Sequence, residues 1–303
     1  MSGILQTFLM YKSAVVNPFG LFAGGSPSGG SSVTAVTEKY TYSGDTVANG
    51  TALGTARRNL QCSGVGNSTR GIIAGGTDVS ADTAVVDKYT YSGDTVAAGT
   101  SLNAARSYAG AVGNETVGII AGGFAPSTVA TSRKYTYSGD TEGAGTALGT
   151  ARYSLSACGT TTVGYFMGGS TGPSSNKVDK YTYSGDTVAA GTNLSTAMAD
   201  ASATGNTTVG IHGGGSGATA NTRKYTYSGD TVAAGTALDT GREVSAATGN
   251  TTKGYYGGGT NSGGAAISSV SVYTFSGDTT AAGTALSTAR GYLSACSSTA
   301  NGL

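Results

Sequence analysis

The side chains able to do chemistry in this chain are few, and their spacing argues against an active site. There is one histidine, His212, in the stretch Gly-Ile-His-Gly-Gly-Gly, and there are three cysteines, Cys62, Cys158 and Cys296. A single imidazole cannot build a multi-histidine metal centre, and no nucleophile with an adjacent base can be assembled from one His and three scattered Cys. His212 is expected to be a satisfied core residue. Six aspartates, Asp45, Asp94, Asp140, Asp186, Asp230 and Asp278, each follow a Ser-Gly pair. One carboxylate per turn is too few for a calcium cage, so each is expected to cap its own turn by a side-chain to backbone hydrogen bond. Five arginines, Arg57, Arg106, Arg152, Arg242 and Arg290, recur at matching places, with Met198 standing in the fourth copy. As a ring near a channel mouth they could grip an acidic peptide, a phosphate or a sugar acid through bidentate hydrogen bonds. The competing reading is that each ties down neighbouring backbone carbonyls, because a residue shared by the copies usually serves the repeat. The glycines open no phosphate loop, since no helix is predicted after any of them. No catalytic residue, metal ligand or cofactor is assigned.

What positions these residues is a repeat. The phrase Lys-Tyr-Thr-Tyr-Ser-Gly-Asp-Thr begins at Lys39, Lys88, Lys134, Lys180 and Lys224, and a variant, Val-Tyr-Thr-Phe-Ser-Gly-Asp-Thr, begins at Val272. Its first aromatics, Tyr40, Tyr89, Tyr135, Tyr181, Tyr225 and Tyr273, are 44 to 49 residues apart. A fixed period in this range points to a propeller or a solenoid. Aromatic and β-branched residues alternating before a Gly-Asp turn read as a strand entering a hairpin. A second marker is a short apolar run closing on a glycine pair, as in Gly-Ile-Ile-Ala-Gly-Gly ending at Gly76. A third is Gly-Thr-x-Leu, at Leu53, Leu102, Leu148, Leu194, Leu238 and Leu286. The stretches after the glycine pairs (26–35, 77–85, 124–132, 170–178, 216–221 and 260–269) differ freely between copies and read as loops, the usual binding face of repeat proteins.

Each period thus holds four strands, the content of one propeller blade. The first copy lacks a good opening strand while the chain ends with one, at 292–296. The expectation is an all-β, six-bladed β-propeller over residues 17–303, four antiparallel strands per blade, closed by the C-terminal strand and preceded by an arm at residues 1–16. Closure hides sheet edges that an open array would expose.

An apolar strand ending in Gly-Gly, an aromatic about a dozen residues on and an Arg before the next inner strand together resemble the kelch repeat, over residues 20–303. The resemblance implies six blades whose innermost strands line a central channel. Kelch blades usually carry a Trp on the outer strand; this chain has none, and Gly-Thr-x-Leu stands near that place, so smaller residues must make the blade contacts. The near-verbatim Tyr-Thr-Tyr-Ser-Gly-Asp-Thr copies on a Gly- and Thr-rich background also resemble propeller proteins of tailed-phage virions, notably of phages of cyanobacteria and marine bacteria.

Composition limits the partners. Charged residues are 11% of the chain and its formal net charge is +1, so it shows no electrostatic footprint for nucleic acid or an anionic membrane. No apolar run is long enough for a spanning helix, and Met1–Lys12 carries no basic region ahead of its apolar residues, so neither membrane insertion nor a signal peptide is expected. Three cysteines without framework spacing suggest folding in a reducing compartment. The arm carries Ile4, Leu5, Phe8, Leu9 and Tyr11, which are expected to dock on another chain or on the ring itself. The function expected is a non-enzymatic virion structural protein of a tailed phage, made in the host cytoplasm. It would contact other virion proteins through the arm and a host surface glycan or protein through the loops. The alternatives are a cellular kelch-type interaction module using the arginines and, with least support, a glycan-binding or sialidase-like protein.

Overall fold

Each repeat makes one four-stranded antiparallel sheet, because its apolar and alternating runs are cut by turns at fixed places. The computed structural model describes residues 19–60 and 64–297. The arm residues Ile4, Leu5, Phe8, Leu9 and Tyr11, and Cys62, lie outside the described residues. The first repeat supplies β1 (Phe19–Ala23), β2 (Thr37–Thr41) and β3 (Thr46–Gly50). The second supplies β4 (Gly64–Gly66), β5 (Arg70–Ala74), β6 (Val86–Thr90) and β7 (Thr95–Ala98), hydrogen-bonded in that order. Residues 110–283 repeat this pattern four more times, and β24 (Ser294–Cys296) joins the first sheet in the order β24-β1-β2-β3. The described residues therefore form a six-bladed β-propeller. Its seam is closed by the C-terminal strand as the sequence suggests, with Leu21 opposite Cys296, Phe22 opposite Ala295 and Ala23 opposite Ser294.

The strand sequences follow from their depth in the ring. In β5, Arg-Gly-Ile-Ile-Ala, every residue after the first is buried, because blades cover both faces. The outermost strands, such as Thr-Val-Ala-Ala in β7, are mostly exposed and need only small residues. The inner strands β4, β8 (Gly110–Gly113), β12 (Ser156–Gly159), β16 (Ser202–Gly205), β20 (Ala246–Gly249) and β24 surround the axis. They line it with Gly64, Ala111, Ala157, Ala203, Ala247 and Ala295, so the channel is walled by small apolar groups.

Blade-to-blade packing without Trp is a knob-in-notch arrangement. The third residue of most inner strands fills the space left by a glycine in the second strand of the next blade. A Cβ on Gly164 would lie 2.3 Å from Val112, and one on Gly210 would lie 2.4 Å from Cys158 Sγ. Cys296 fills the same place over Gly71. Cys158 and Cys296 are thus buried thiol knobs, each accepting a hydrogen bond from a tyrosine of the next blade, Tyr227 and Tyr91.

Gly210→Ala is expected to cost about 1–3 kcal/mol by overpacking this junction. Adding Cys158→Ala should recover part of that loss in urea denaturation. Equal stability of Gly210→Ala and wild type would refute the notch.

Candidate functional site

The six turn aspartates hold neighbouring blades together rather than capping their own turns, which corrects the sequence expectation. In every copy the first tyrosine of the phrase donates its hydroxyl to the aspartate five residues later, as Tyr89 does to Asp94 and Tyr225 to Asp230. The same carboxylate accepts the Thr N–H of the preceding blade's Gly-Thr, for example Thr51 to Asp94 at 2.8 Å and Thr236 to Asp278 at 3.0 Å. A lysine of the preceding blade completes the latch in Lys39–Asp94, Lys88–Asp140, Lys180–Asp230 and Lys224–Asp278, the last two at 2.7 Å. Burial by itself would raise Asp94, but the Lys39 ammonium, the Tyr89 hydroxyl and the Thr51 amide hold it down at about 2. Hairpins at the same end add asparagine bridges: Asn114 Nδ2 reaches Thr161 O at 3.3 Å, and Asn206 Nδ2 reaches Thr251 O at 3.3 Å.

The five arginines are placed at the blade junctions and are 0–2% exposed. Arg57 donates to Gly75 O and Val85 O at 2.7 Å and pairs with Asp87. Arg152 donates to Gly168 O and Lys177 O and pairs with Asp179, while Arg290 pairs with Glu38 across the closing seam. Arg106 donates to Gly122 O and Thr131 O, and Arg242 to Tyr256 O, Gly258 O and Ser269 O. Burial lowers these guanidinium groups, Arg106 and Arg242 to about 10, so they stay charged at neutral pH. The position facing them carries Glu38, Asp87 and Asp179 in three blades, and opposite Arg106 it carries Arg133, which is ion-paired with Glu142; opposite Met198 of the fourth copy it carries Arg223, with Val232 where the third blade has Glu142. A second guanidinium there would meet like charge without a counterion.

The mouth itself is lined by residues that carry no repeat signature, two positions after each arginine or Met198. Asn59, Tyr108, Ser154, Asp200, Val244 and Tyr292 all have φ between 49° and 60°, a left-handed conformation that costs an L-residue about 1–2 kcal/mol. They are held there by a head-to-tail circle of backbone hydrogen bonds around the axis. Tyr108 N–H donates to Asn59 O (2.9 Å), Ser154 to Tyr108 (2.9 Å), Asp200 to Ser154 (3.1 Å), Val244 to Asp200 (2.9 Å) and Tyr292 to Val244 (2.8 Å). Leu60 N–H closes the circle on Tyr292 O at 3.1 Å. The loops rise from the same end, since Ser107 bridges Phe124, Tyr153 bridges Ser170 and Glu243 bridges Thr260.

Aromatic rings run outward from this circle. Tyr292 meets Tyr108 edge-to-face at 6.4 Å, Tyr108 meets Tyr153 at 6.2 Å, and Tyr153 meets Phe124 at 6.4 Å. Phe124 is 39% exposed, and the three tyrosines are half-buried. Burial raises Tyr108 and Tyr292; Asp200 raises both further, and Arg58 opposes it. None of the six circle residues was singled out as a site residue from sequence; Tyr292 was expected to open the closing strand, but that strand begins at Ser294 and Tyr292 stands in the left-handed turn before it. A signal for them was nonetheless present, since these positions, two after the recurring arginine, carry five different residue types over six copies.

His212 is buried as expected, but its Nε2 has no hydrogen-bond partner, so it is not the satisfied core residue the sequence suggested. Burial, with Arg223 adding to it, lowers His212 to about 4. Among the described residues no group of three or more His, Cys, Asp and Glu is arranged to hold a metal, and no helix is long and apolar enough to cross a membrane. No protein-family model matches the chain, and no curated protein is significantly similar to it.

Two outcomes are expected. Met198→Arg should destabilise by about 2–4 kcal/mol through an unpaired buried charge, and adding Arg223→Asp should restore much of that; an unchanged urea midpoint would refute the pairing. The second concerns acid. Between the unfolded histidine value of about 6.5 and the folded value of about 4, the unfolded state binds the extra proton, so stability falls as pH drops through that window. In His212→Leu this step should vanish. A further loss from the depressed aspartates should remain below about pH 4 and continue to about 2.

Proposed function

We propose that this chain is a non-enzymatic structural protein of a tailed-phage virion, a kelch-like propeller anchored at one side and presenting its loop end to the surroundings. The observation that carries the reading is the division of labour between the two ends. Residues common to the repeat, namely the turn aspartates, their lysines and tyrosines and the five arginines, are hydrogen-bonded within the ring. Chemistry that differs from blade to blade is concentrated at the mouth and in the loops above it. A scaffold that fixes its frame and varies one face is suited to display and attachment. The near-verbatim phrase on a Gly- and Thr-rich background supports a particle protein through its resemblance to propeller proteins of tailed-phage virions. The apolar arm, with Ile4, Leu5, Phe8, Leu9 and Tyr11, is the proposed attachment to other virion proteins.

The alternative, a cellular interaction module that holds an acidic peptide with Arg57, Arg106, Arg152, Arg242 and Arg290, is less favoured because those guanidinium groups are buried against carbonyls and carboxylates. Mass spectrometry of purified particles is expected to find the chain in structural copy number, and antibodies against the 77–85 and 124–132 loops should label intact particles. Absence of the chain from particles overturns the proposal.

A further inference from the structure

We infer that the axial mouth of the loop end is a carbohydrate-binding site, with an oligosaccharide lying along the row Tyr292, Tyr108, Tyr153 and Phe124 and one sugar ring seated over the circle of backbone hydrogen bonds. The inference rests on the reading of the loop end as the partner-facing end, and it names the partner's chemistry.

Three features of the mouth point the same way. The first is shape. The backbone circle rims the axis, and below it the channel is walled by Ala111, Ala157, Ala203, Ala247 and Ala295, whose side chains offer a sugar no hydrogen bond, so a ligand is held at the mouth and not in the channel. The second is the surface. Successive aromatic centroids 6.2–6.4 Å apart in edge-to-face contact give a row of half-buried rings ending on the exposed Phe124, a surface suited to the C–H faces of pyranose rings. The third is polarity. A sugar needs acceptors and donors at the rim of that row, and the mouth offers both signs. Asp200 and Arg58 lie within electrostatic reach of both Tyr108 and Tyr292, and Glu243 lies within reach of Tyr292. Arg58 has a buried Nε without a hydrogen-bond partner. Asp200, half-buried, accepts a 3.2 Å bond from Ser216 Oγ, and a carboxylate can accept several donors at once, sugar hydroxyls among them.

An anionic occupant is disfavoured, because Asp82 and Asp200 act on Tyr108, and Asp200 and Glu243 on Tyr292, against the cation Arg58. The left-handed backbone adds weight: glycine would sit in that conformation without strain, yet none of the six positions is glycine. Strained side chains kept at one closed circle mark a place where those side chains are used.

The test uses the full chain and saturation-transfer NMR with maltohexaose, chitohexaose and a panel of bacterial O-antigen and capsular polysaccharides. At least one glycan is expected to bind, with saturation of its ring protons. Tyr108→Ala and Tyr292→Ala should each weaken binding about tenfold or more, while Tyr108→Phe, which keeps the ring, should stay within about threefold of wild type. Asp200→Asn should also weaken binding while leaving the thermal midpoint in place, which separates loss of ligand contact from loss of fold. Silence of the wild type toward the whole panel, equal binding by Tyr108→Ala, or preference for an acidic or a lysine-rich peptide at the same residues would overturn the inference. If the chain is found in particles but binds no glycan, this inference fails and the virion reading stands. If it binds glycan but is absent from particles, the reverse holds.

Discussion

A ring of six sheets stands only if each sheet grips the next, and here that grip is centred on one carboxylate per blade. The aspartate of the Ser-Gly-Asp turn is a hub where three donors converge: a tyrosine hydroxyl of its own blade, a threonine amide of the blade before and, at four junctions, a lysine of that blade. Charge-assisted bonds of this kind are stronger than neutral ones and demand fixed geometry, so the lysine, first tyrosine and aspartate of the phrase Lys-Tyr-Thr-Tyr-Ser-Gly-Asp-Thr are constrained together. That explains why the tyrosine and aspartate recur in every copy, and the lysine in five, while the loops drift.

The seam is the informative exception. Val272 stands where the other copies have lysine, so Asp45 keeps its bonds from Tyr40 and Thr284 but receives no ammonium from that position. Closure is reinforced by two other means. The strand pairing of β24 with β1 joins the two ends of the chain in one sheet, and the Glu38–Arg290 pair, both partners fully buried, crosses the same junction. A buried pair of this kind is weak as a source of net stability but costly to break on one side, and so it enforces register at the seam.

Once the shared charges are committed to the frame, the remaining asymmetry has a location. Six left-handed residues, linked into a circle by their own backbones, carry side chains that differ from blade to blade. The circle fixes the backbone from which those side chains project, and a pre-organised platform of that sort loses less conformational entropy on contact than a free loop does. The strain at the mouth and the fixed placement of its backbone therefore have the same cause.

Much of the architecture was legible in the chain itself. Three markers counted to six, a period of 44 to 49 residues set the blade, and the spare strand at 292–296 foretold the closure, because strand, turn and loop chemistry are local properties that each copy states afresh. The arginines' alternative role on backbone carbonyls was legible too, as a consequence of their recurrence. What only the tertiary structure decided was the direction of the contacts. Whether Asp94 bonds its own turn or the blade before it, whether Cys158 is a knob over Gly210, and why Met198 stands opposite Arg223 all depend on which residues of different copies meet, and a period along the chain says nothing about that. The mouth was hidden for the same reason. Asn59, Tyr108, Ser154, Asp200, Val244 and Tyr292 are scattered over more than two hundred residues of sequence and look like drift until ring closure brings them to one circle, where their differences become a surface.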